Sequence, residues 1–327
     1  MSERFLWHRL RRRRGTTAAV ALLALVVLLA FAAPILPLPD PGSPAPTRAG
    51  RGPSPRWTVG TAEDRALAAQ DRPLAGAVRD ALFGQHELAG ACGTDALGRD
   101  VLARLVWGGR VSLLVGLVAT LVSVLIGVGW GLVAGYVGGR TDAVLMRVVD
   151  LLYAVPLLFL VILVVALLRE HAARLAALGI TREVVLYAVI GAVSWLTMAR
   201  IVRGQVLSLR EREFVAAARA LGCGDVHIML RHVLPHLTGI VCVYLTLTVP
   251  RVMLFEAFLS FLGLGVEAPG VSWGILASEG LEQLTVVSTS WWLIVFPGLA
   301  LLLTLTALNA LGDALRDALD PRGSRFA

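Results

Sequence analysis

The sequence contains no lysine, so all 30 of its Lys and Arg positions are arginine. That absence excludes a phosphate-binding loop of the GxxxxGK[ST] kind, whose lysine reaches the phosphates, and it excludes Schiff-base chemistry. If the chain draws on nucleotide energy, another subunit must supply it. Cysteine is almost as scarce: Cys92, Cys223 and Cys242 lie in three separate segments, with no CxxC and no metal-ligand spacing. Charge is thin as well. Charged residues make up 16% of the chain against 57% hydrophobic, more apolar residue than a soluble core needs, which marks a membrane protein. No basic stripe interleaves with aromatics on a polar segment, so nucleic acid is set aside as a partner.

Candidate chemistry is equally sparse. No nucleophile, base and orienting group fall into a motif. His232 and His236 stand one helical turn apart, a metal-ligand spacing in principle, but Pro235 lies between them and no acidic third ligand accompanies them. The expectation is no metal, no cofactor and no bond chemistry.

What the sequence does have is a series of long apolar runs. MSERFLWHRLRRRRG places six arginines ahead of the run 16–36, which at about 1.5 Å per residue can cross a hydrocarbon core of about 30 Å. The same pattern fits a cleaved signal peptide, with Ala30-Phe31-Ala32 as its small-residue site; the length of the run and Pro34 favour a retained span. Residues 37–56 are rich in Pro, Gly, Ser and Arg and read as an extended linker, and 62–82 as an amphipathic helix without an evident partner. Further spans are expected at 111–136, 144–168 with a kink at Pro156, 184–201, 237–262, and 291–311 with Trp291 and Trp292 as an interfacial belt. The second of the six carries glycines at 116, 127, 129, 131 and 135, suited to close helix packing in lipid. The third is entered through Arg147 and Asp150, three apart and expected to pair or snorkel at the inner interface. Arginines concentrate in the short loops on the side holding both termini, which places both ends inside.

One polar interruption reads as helical. In 210–235, REREFVAAARALGCGDVHIMLRHVLP, helix formers run from Glu211 to Leu221 until Gly222 and Gly224 stop them. Asp225 is expected to cap a second helix with apolar residues at Val226, Met229, Leu230 and Val233, broken by Pro235. Helix, glycine turn and helix between two spans suggest a docking surface for another protein, or else a plain amphipathic loop.

The blocks of this sequence resemble a known family. EFVAAARALG (213–222), nine further residues and HVLP (232–235) look like the EAA loop of permease subunits in ABC importers, with Ala216 where that motif has Glu and His232 where it has Ile. With GTDALGRDVLARLVWGGRVSLLVG (93–116), MRVVDLLYAVP (146–156), ARIVRGQVLSLREREFV (199–215), EAFLSFLGLGV (256–266), SWG (272–274) and FPGLALLLTLTALNALGDALRDALDP (296–321), the ordered set is similar to the C-type permease of dipeptide, oligopeptide and nickel importers. The resemblance implies an all-α polytopic protein of the type I importer permease fold in a bacterial inner membrane, with six transmembrane helices and cytoplasmic termini. It implies three kinds of partner besides the bilayer: a B-type permease, two cytoplasmic ATP-binding subunits and an extracytoplasmic solute-binding protein. The organisation that follows is 1–36, N-terminus and first span; 37–107, outer loop; 108–312, five-helix core with a coupling loop at 203–236; and 313–327, tail.

Under the same resemblance, Glu213, Phe214, Ala217, Ala218, Leu221, Gly222, Leu234 and Pro235 are candidates for coupling to the ATPase. The alanines permit close approach, Phe214 and Leu221 provide apolar anchors, and Glu213 takes over part of the role of the missing carboxylate at Ala216. Arg251 and Glu256 are possible pathway-lining residues, since a charge inside a span costs about 2.5 to 3.5 kcal/mol on insertion scales. Arg251 can meet a solute carboxylate, pair with Glu256 or reach the interface; Glu256 can line the pathway or tie down the outer loop. Peptides are the leading solute, with nickel or a metal chelate as the alternative. The rival class is a self-sufficient secondary transporter or channel, which calls for inverted repeats and a titratable chain at mid-membrane, and the sequence has neither.

Overall fold

A computed structural model of the chain describes residues 14–60, 73–171, 174, 177, 182–265, 270–284 and 290–319. The basic segment ahead of the first span, most of the expected 62–82 helix, Glu267 and the last eight residues lie outside them. Helices dominate because the apolar runs must satisfy their own backbone groups in lipid. In order they are α1 (Arg14–Ala32), α2 (Pro73–Phe83), α3 (Val101–Val137), α4 (Gly139–Ala154), α5 (Leu157–Glu170), α6 (Arg182–Leu209), α7 (Glu213–Ala220), α8 (Asp225–Ile228), α9 (Leu234–Phe261), α10 (Trp273–Glu282) and α11 (Trp292–Leu319). Two short strands, β1 (Arg56–Val59) and β2 (His86–Ala89), pair antiparallel with Arg56 opposite Ala89 and Val59 opposite His86. The expected linker at 37–56 thus ends in a strand pair, which Leu88 N–H ties to the carbonyl of Pro37 at 2.8 Å.

Five helical stretches among the described residues are long and apolar enough to cross a membrane, and α4 with α5 makes a sixth if a broken pair is counted as one span. The all-α membrane class agrees, and the expected kink at Pro156 is a bend of 91° between α4 and α5. Proline disfavours the helical conformation in the residue before it, and Val155 is extended at φ −86°, ψ 126°.

The chain divides into two compact units, one built on Val115–Val252 and Leu308 onward, the other on Thr17–Leu114 and Met253–Ala307. In the first, α3 packs on α6 with backbone nearly touching backbone. A Cβ at Gly127 would fall 2.6 Å from Met198 Cβ, at Gly131 2.5 Å from the Ala199 carbonyl, and at Gly135 2.8 Å from the Arg203 carbonyl. These glycines stand four apart on one helix face, the small-residue stripe that lets helices approach in lipid. Gly129, off that face, meets nothing within 4 Å. Beside the stripe, Trp130 and Trp195 rings sit 4.9 Å apart over a cluster of Val149, Leu196 and Ala199.

In the second unit the GTDALGRD block is a charge-centred turn. Asp95 Oδ1 accepts the N–H groups of Leu97 and Arg99, both at 2.9 Å, while Oδ2 meets Arg99 Nε at 2.6 Å and Arg104 Nη1 at 2.9 Å. Arg104 also forks onto Glu279 of α10 at 2.5 and 3.1 Å. Trp292, expected in an interfacial belt with Trp291, is instead buried, and its indole N–H donates to the Thr94 carbonyl at 3.2 Å. Only Trp291 of the pair is exposed.

Candidate coupling site

The stretch 210–235 does fold as helix, turn and helix. Helix α7 ends in a Schellman arrangement: Gly222 N–H reaches the Arg219 carbonyl at 2.9 Å and Cys223 N–H the Ala218 carbonyl at 3.1 Å. Gly222 holds φ +82°, the left-handed conformation that side chains disfavour, and a Cβ there would meet nothing within 4 Å. The turn therefore needs glycine for its backbone angle rather than for space.

Asp225 opens α8 but does not cap it; Gly224 is the N-cap and no side chain bonds there. The Asp225 carboxylate is already engaged, accepting the Tyr136 hydroxyl at 2.9 Å from the end of α3. Pro235 does not break the second helix either. A π-turn over Met229–Val233 places the Leu234 N–H on the Met229 carbonyl, and the chain passes into α9 with Pro235 in its first turn, where the missing N–H costs little.

One face of α7 is built into a core and the other is open. Val215, Ala218, Ile228 and Val233 are buried with Tyr136, Met198, Val202, Val206 and Leu237. The opposite face shows Glu213, Ala216, Ala217, Ala220 and, at 84% exposure, Leu221. Of the expected coupling residues, Ala218 is thus buried and supports the helix from behind, and Leu234 packs against the same core. Phe214 is half-buried, stacked on the His236 ring at 4.7 Å, so it is not a free anchor. The apolar residues expected on one face of the second helix divide: Val233 is buried, Met229 half-buried, Val226 and Leu230 exposed.

Arginines hold this site to the spans. Arg203 of α6 makes a two-pronged bond to Asp142 at 2.5 and 2.6 Å, Arg210 donates to the Gly135 carbonyl at 3.2 Å, and the Arg219 guanidinium lies 5.3 Å over the Tyr136 ring. Asp150 is bound by Arg200 of α6 at 2.7 Å, not by the expected Arg147 of its own helix. Arg200 also covers the Tyr153 ring at 4.0 Å.

The two intramembrane candidates differ from each other. Arg251 is exposed. Glu256 is 0% exposed; Ser260 Oγ donates to its Oε1 at 2.7 Å, and Oε2 has no hydrogen-bond partner among the described residues. It therefore faces no open surface, and Ser260 stands where the expected pairing placed Arg251. Nearby, Trp273 N–H donates to Ser112 Oγ at 3.1 Å and its indole to the Leu105 carbonyl at 2.8 Å, which seats the SWG block against α3.

Residues 270–274, Gly-Val-Ser-Trp-Gly, do spell G-x-S-x-G, against the expectation of no nucleophile motif. Ser272 is buried at the start of α10 and its Oγ accepts the Ile275 N–H at 3.3 Å, so it works as a helix cap and not as a presented nucleophile. The His232 and His236 side chains do not converge either. His236 Nδ1 lies 2.7 Å from the His232 carbonyl while its ring faces Phe214.

The sequence reading missed Tyr136 and the Asp95, Arg104 and Glu279 cluster. Tyr136 is one of several hydroxyls in a glycine-rich apolar run that also holds Ser112, Thr120 and Ser123, and the cluster joins residues about 180 positions apart. The blocks GTDALGRD and SWG signalled that something was there without saying what.

Comparison with known proteins gives these features a context. Residues 127–325 match the family described as binding-protein-dependent transport system inner membrane component. Over 230 residues the chain is 48% identical to the oligopeptide transport system permease protein OppC of Haemophilus influenzae, covering 70% of each chain. It is 46% identical to the dipeptide transport system permease protein DppC of Bacillus subtilis, covering 70% of this chain and 68% of that one. Escherichia coli K12 has an OppC 44% identical over 230 residues, with 70% and 72% covered.

Proposed function

Because the chain belongs to the family of inner membrane components of binding-protein-dependent transport systems, we propose that it is the subunit that forms half of a peptide pathway and couples it to ATP hydrolysis elsewhere. The relatives named above are permeases of oligopeptide and dipeptide systems, which favours peptides over nickel or a metal chelate. In this reading a second, B-type permease completes the pathway, two ATPases bind below and a solute-binding protein delivers from above. Both termini and the 210–235 loop lie on the ATPase side, in accord with the arginine distribution. The chain itself performs no bond chemistry.

The observation that carries the coupling role is the two-sidedness of α7. A short helix in water needs a reason to display Ala216, Ala217, Ala220 and Leu221 while its back is locked in a core. Small side chains around one large apolar residue make a surface onto which a partner backbone can close, with Leu221 as the buried centre of the contact. Glu213 at the start of the helix supplies a carboxylate on the same face. Closure of the ATPases would then shift the loop and bias the spans between inward-open and outward-open states.

Co-purification tests this. Tagged wild-type chain should retain an ATPase subunit, and Leu221→Asp or Ala217→Arg should lose it while remaining in the membrane at normal level. Transport by the lone chain in liposomes would favour a self-sufficient transporter instead.

A further inference from the structure

We propose that Tyr136 is a positioning residue that passes movement of the coupling loop directly to α3, in parallel with the covalent route through Pro235 into α9. This rests on the coupling role argued above. The Tyr136 hydroxyl donates to Asp225 at 2.9 Å, the first residue after the glycine turn, and its ring lies under the Arg219 guanidinium at 5.3 Å, from the last turn of α7. One buried side chain on α3 thus holds both halves of the loop, one by its polar tip and one by its face. The bond to Asp225 is charge-assisted and the ring is packed in the same core as Val215, Ala218 and Ile228, so the loop cannot shift without displacing Tyr136 or breaking that bond.

What Tyr136 moves is rigid. It follows Gly135 at the end of the stripe that sets α3 against α6 in backbone contact, and Arg210 fixes the Gly135 carbonyl at 3.2 Å. A close-packed helix pair transmits displacement instead of absorbing it. The loop therefore acts on two spans at once: on α9 through the chain, and on the paired α3 and α6 through Tyr136.

Hydrogen–deuterium exchange on the assembled transporter, with its permease and ATPase partners, reads this without knowledge of the solute. ATP with vanadate should change exchange both in 210–235 and in 130–137 of the wild type. In Tyr136→Phe, which keeps the ring, the loop should still respond and the ATPase should still be retained, while the nucleotide-dependent change in 130–137 falls at least about fivefold, in line with the loss of a hydrogen bond to a charged group. Asp225→Ala should do the same, and the double variant no more than either single one. A purely structural tie would alter exchange equally with and without nucleotide, and that outcome overturns the proposal. So does an unchanged response at 130–137 in Tyr136→Phe, or a wild type whose loop responds while α3 does not. A wild type that retains no ATPase overturns the coupling role itself, and this proposal with it.

Discussion

Arg104 Nη1 lies 2.9 Å from Asp95 Oδ2, with the two side chains only 3% and 2% exposed. A buried pair of this kind is held by geometry, and Arg104 satisfies it by forking onto Glu279 as well. Breaking it leaves a carboxylate in a dry site with Arg99 as its remaining cation. Arg104→Ala should therefore cost about 3 kcal/mol, at the lower end for a broken buried pair. Arg104→Lys should recover only part, since an ammonium cannot fork. Thermal unfolding in detergent measures both, and a midpoint unchanged in Arg104→Ala would contradict the assignment.

The glycine stripe of α3 gives a paired prediction. Gly131→Ala puts a methyl 2.5 Å from the Ala199 carbonyl and 2.8 Å from Val202 Cβ, atoms that cannot swing away, and should destabilise by about 1 to 3 kcal/mol. Gly129→Ala meets nothing and should be neutral or stabilise by up to about 1 kcal/mol. Equal effects of the two substitutions on the unfolding midpoint would remove the stripe as the reason for the packing.

At Gly222 the constraint is conformational. Gly222→Ala should cost about 1 to 2 kcal/mol locally and weaken ATPase retention, while Gly222→Asn should retain more, because asparagine tolerates a left-handed backbone. Gly224, at φ −68° and with open space around it, should accept alanine without loss. Retention in the order Gly, Asn, Ala at position 222 is the expected result of a pull-down series.

Cys92 should be chemically quiet. Burial, with Asp100 adding to it, pushes its thiol from 9.0 up to about 11, which cuts the thiolate fraction at neutral pH about a hundredfold. Because the thiolate is the reactive form, iodoacetamide labelling of Cys92 should be negligible at pH 7.5 and rise only as pH approaches the raised value. Asp100→Asn removes the repelling charge and should increase the labelling rate at fixed pH. Cys92 is half-buried, and fast labelling at neutral pH in the folded protein would contradict its raised pKa.

Much of the fold was legible because lipid imposes a simple rule, a long apolar run that satisfies its own backbone. The spans and the helix, turn and helix at 210–235 follow from run length and from Gly222. Boundaries were less legible: α3 begins about ten residues before its apolar core, at Val101, because Asp100 accepts the Ala103 N–H at 2.8 Å and starts the helix in a polar segment. The strand pair at 56–59 and 86–89 was not legible at all, since its strands are only four residues long and lie far apart in the chain. The Ser272 pattern shows the opposite hazard, a catalytic spelling whose serine is a helix cap.

By itself the sequence determined that this chain lies in a membrane, lacks the lysine of a nucleotide site, and carries a polar helical element between spans. Those are properties of composition and local pattern, set by each segment's own free energy in lipid or water. Only the tertiary structure decided who holds whom: Asp150 goes to Arg200 and not Arg147, Asp225 to Tyr136 and not its own helix cap, and Phe214 stacks on His236. A short polar side chain has several partners of similar strength within reach of its own helix, and the packing of α3, α6 and α7 selects one of them by position.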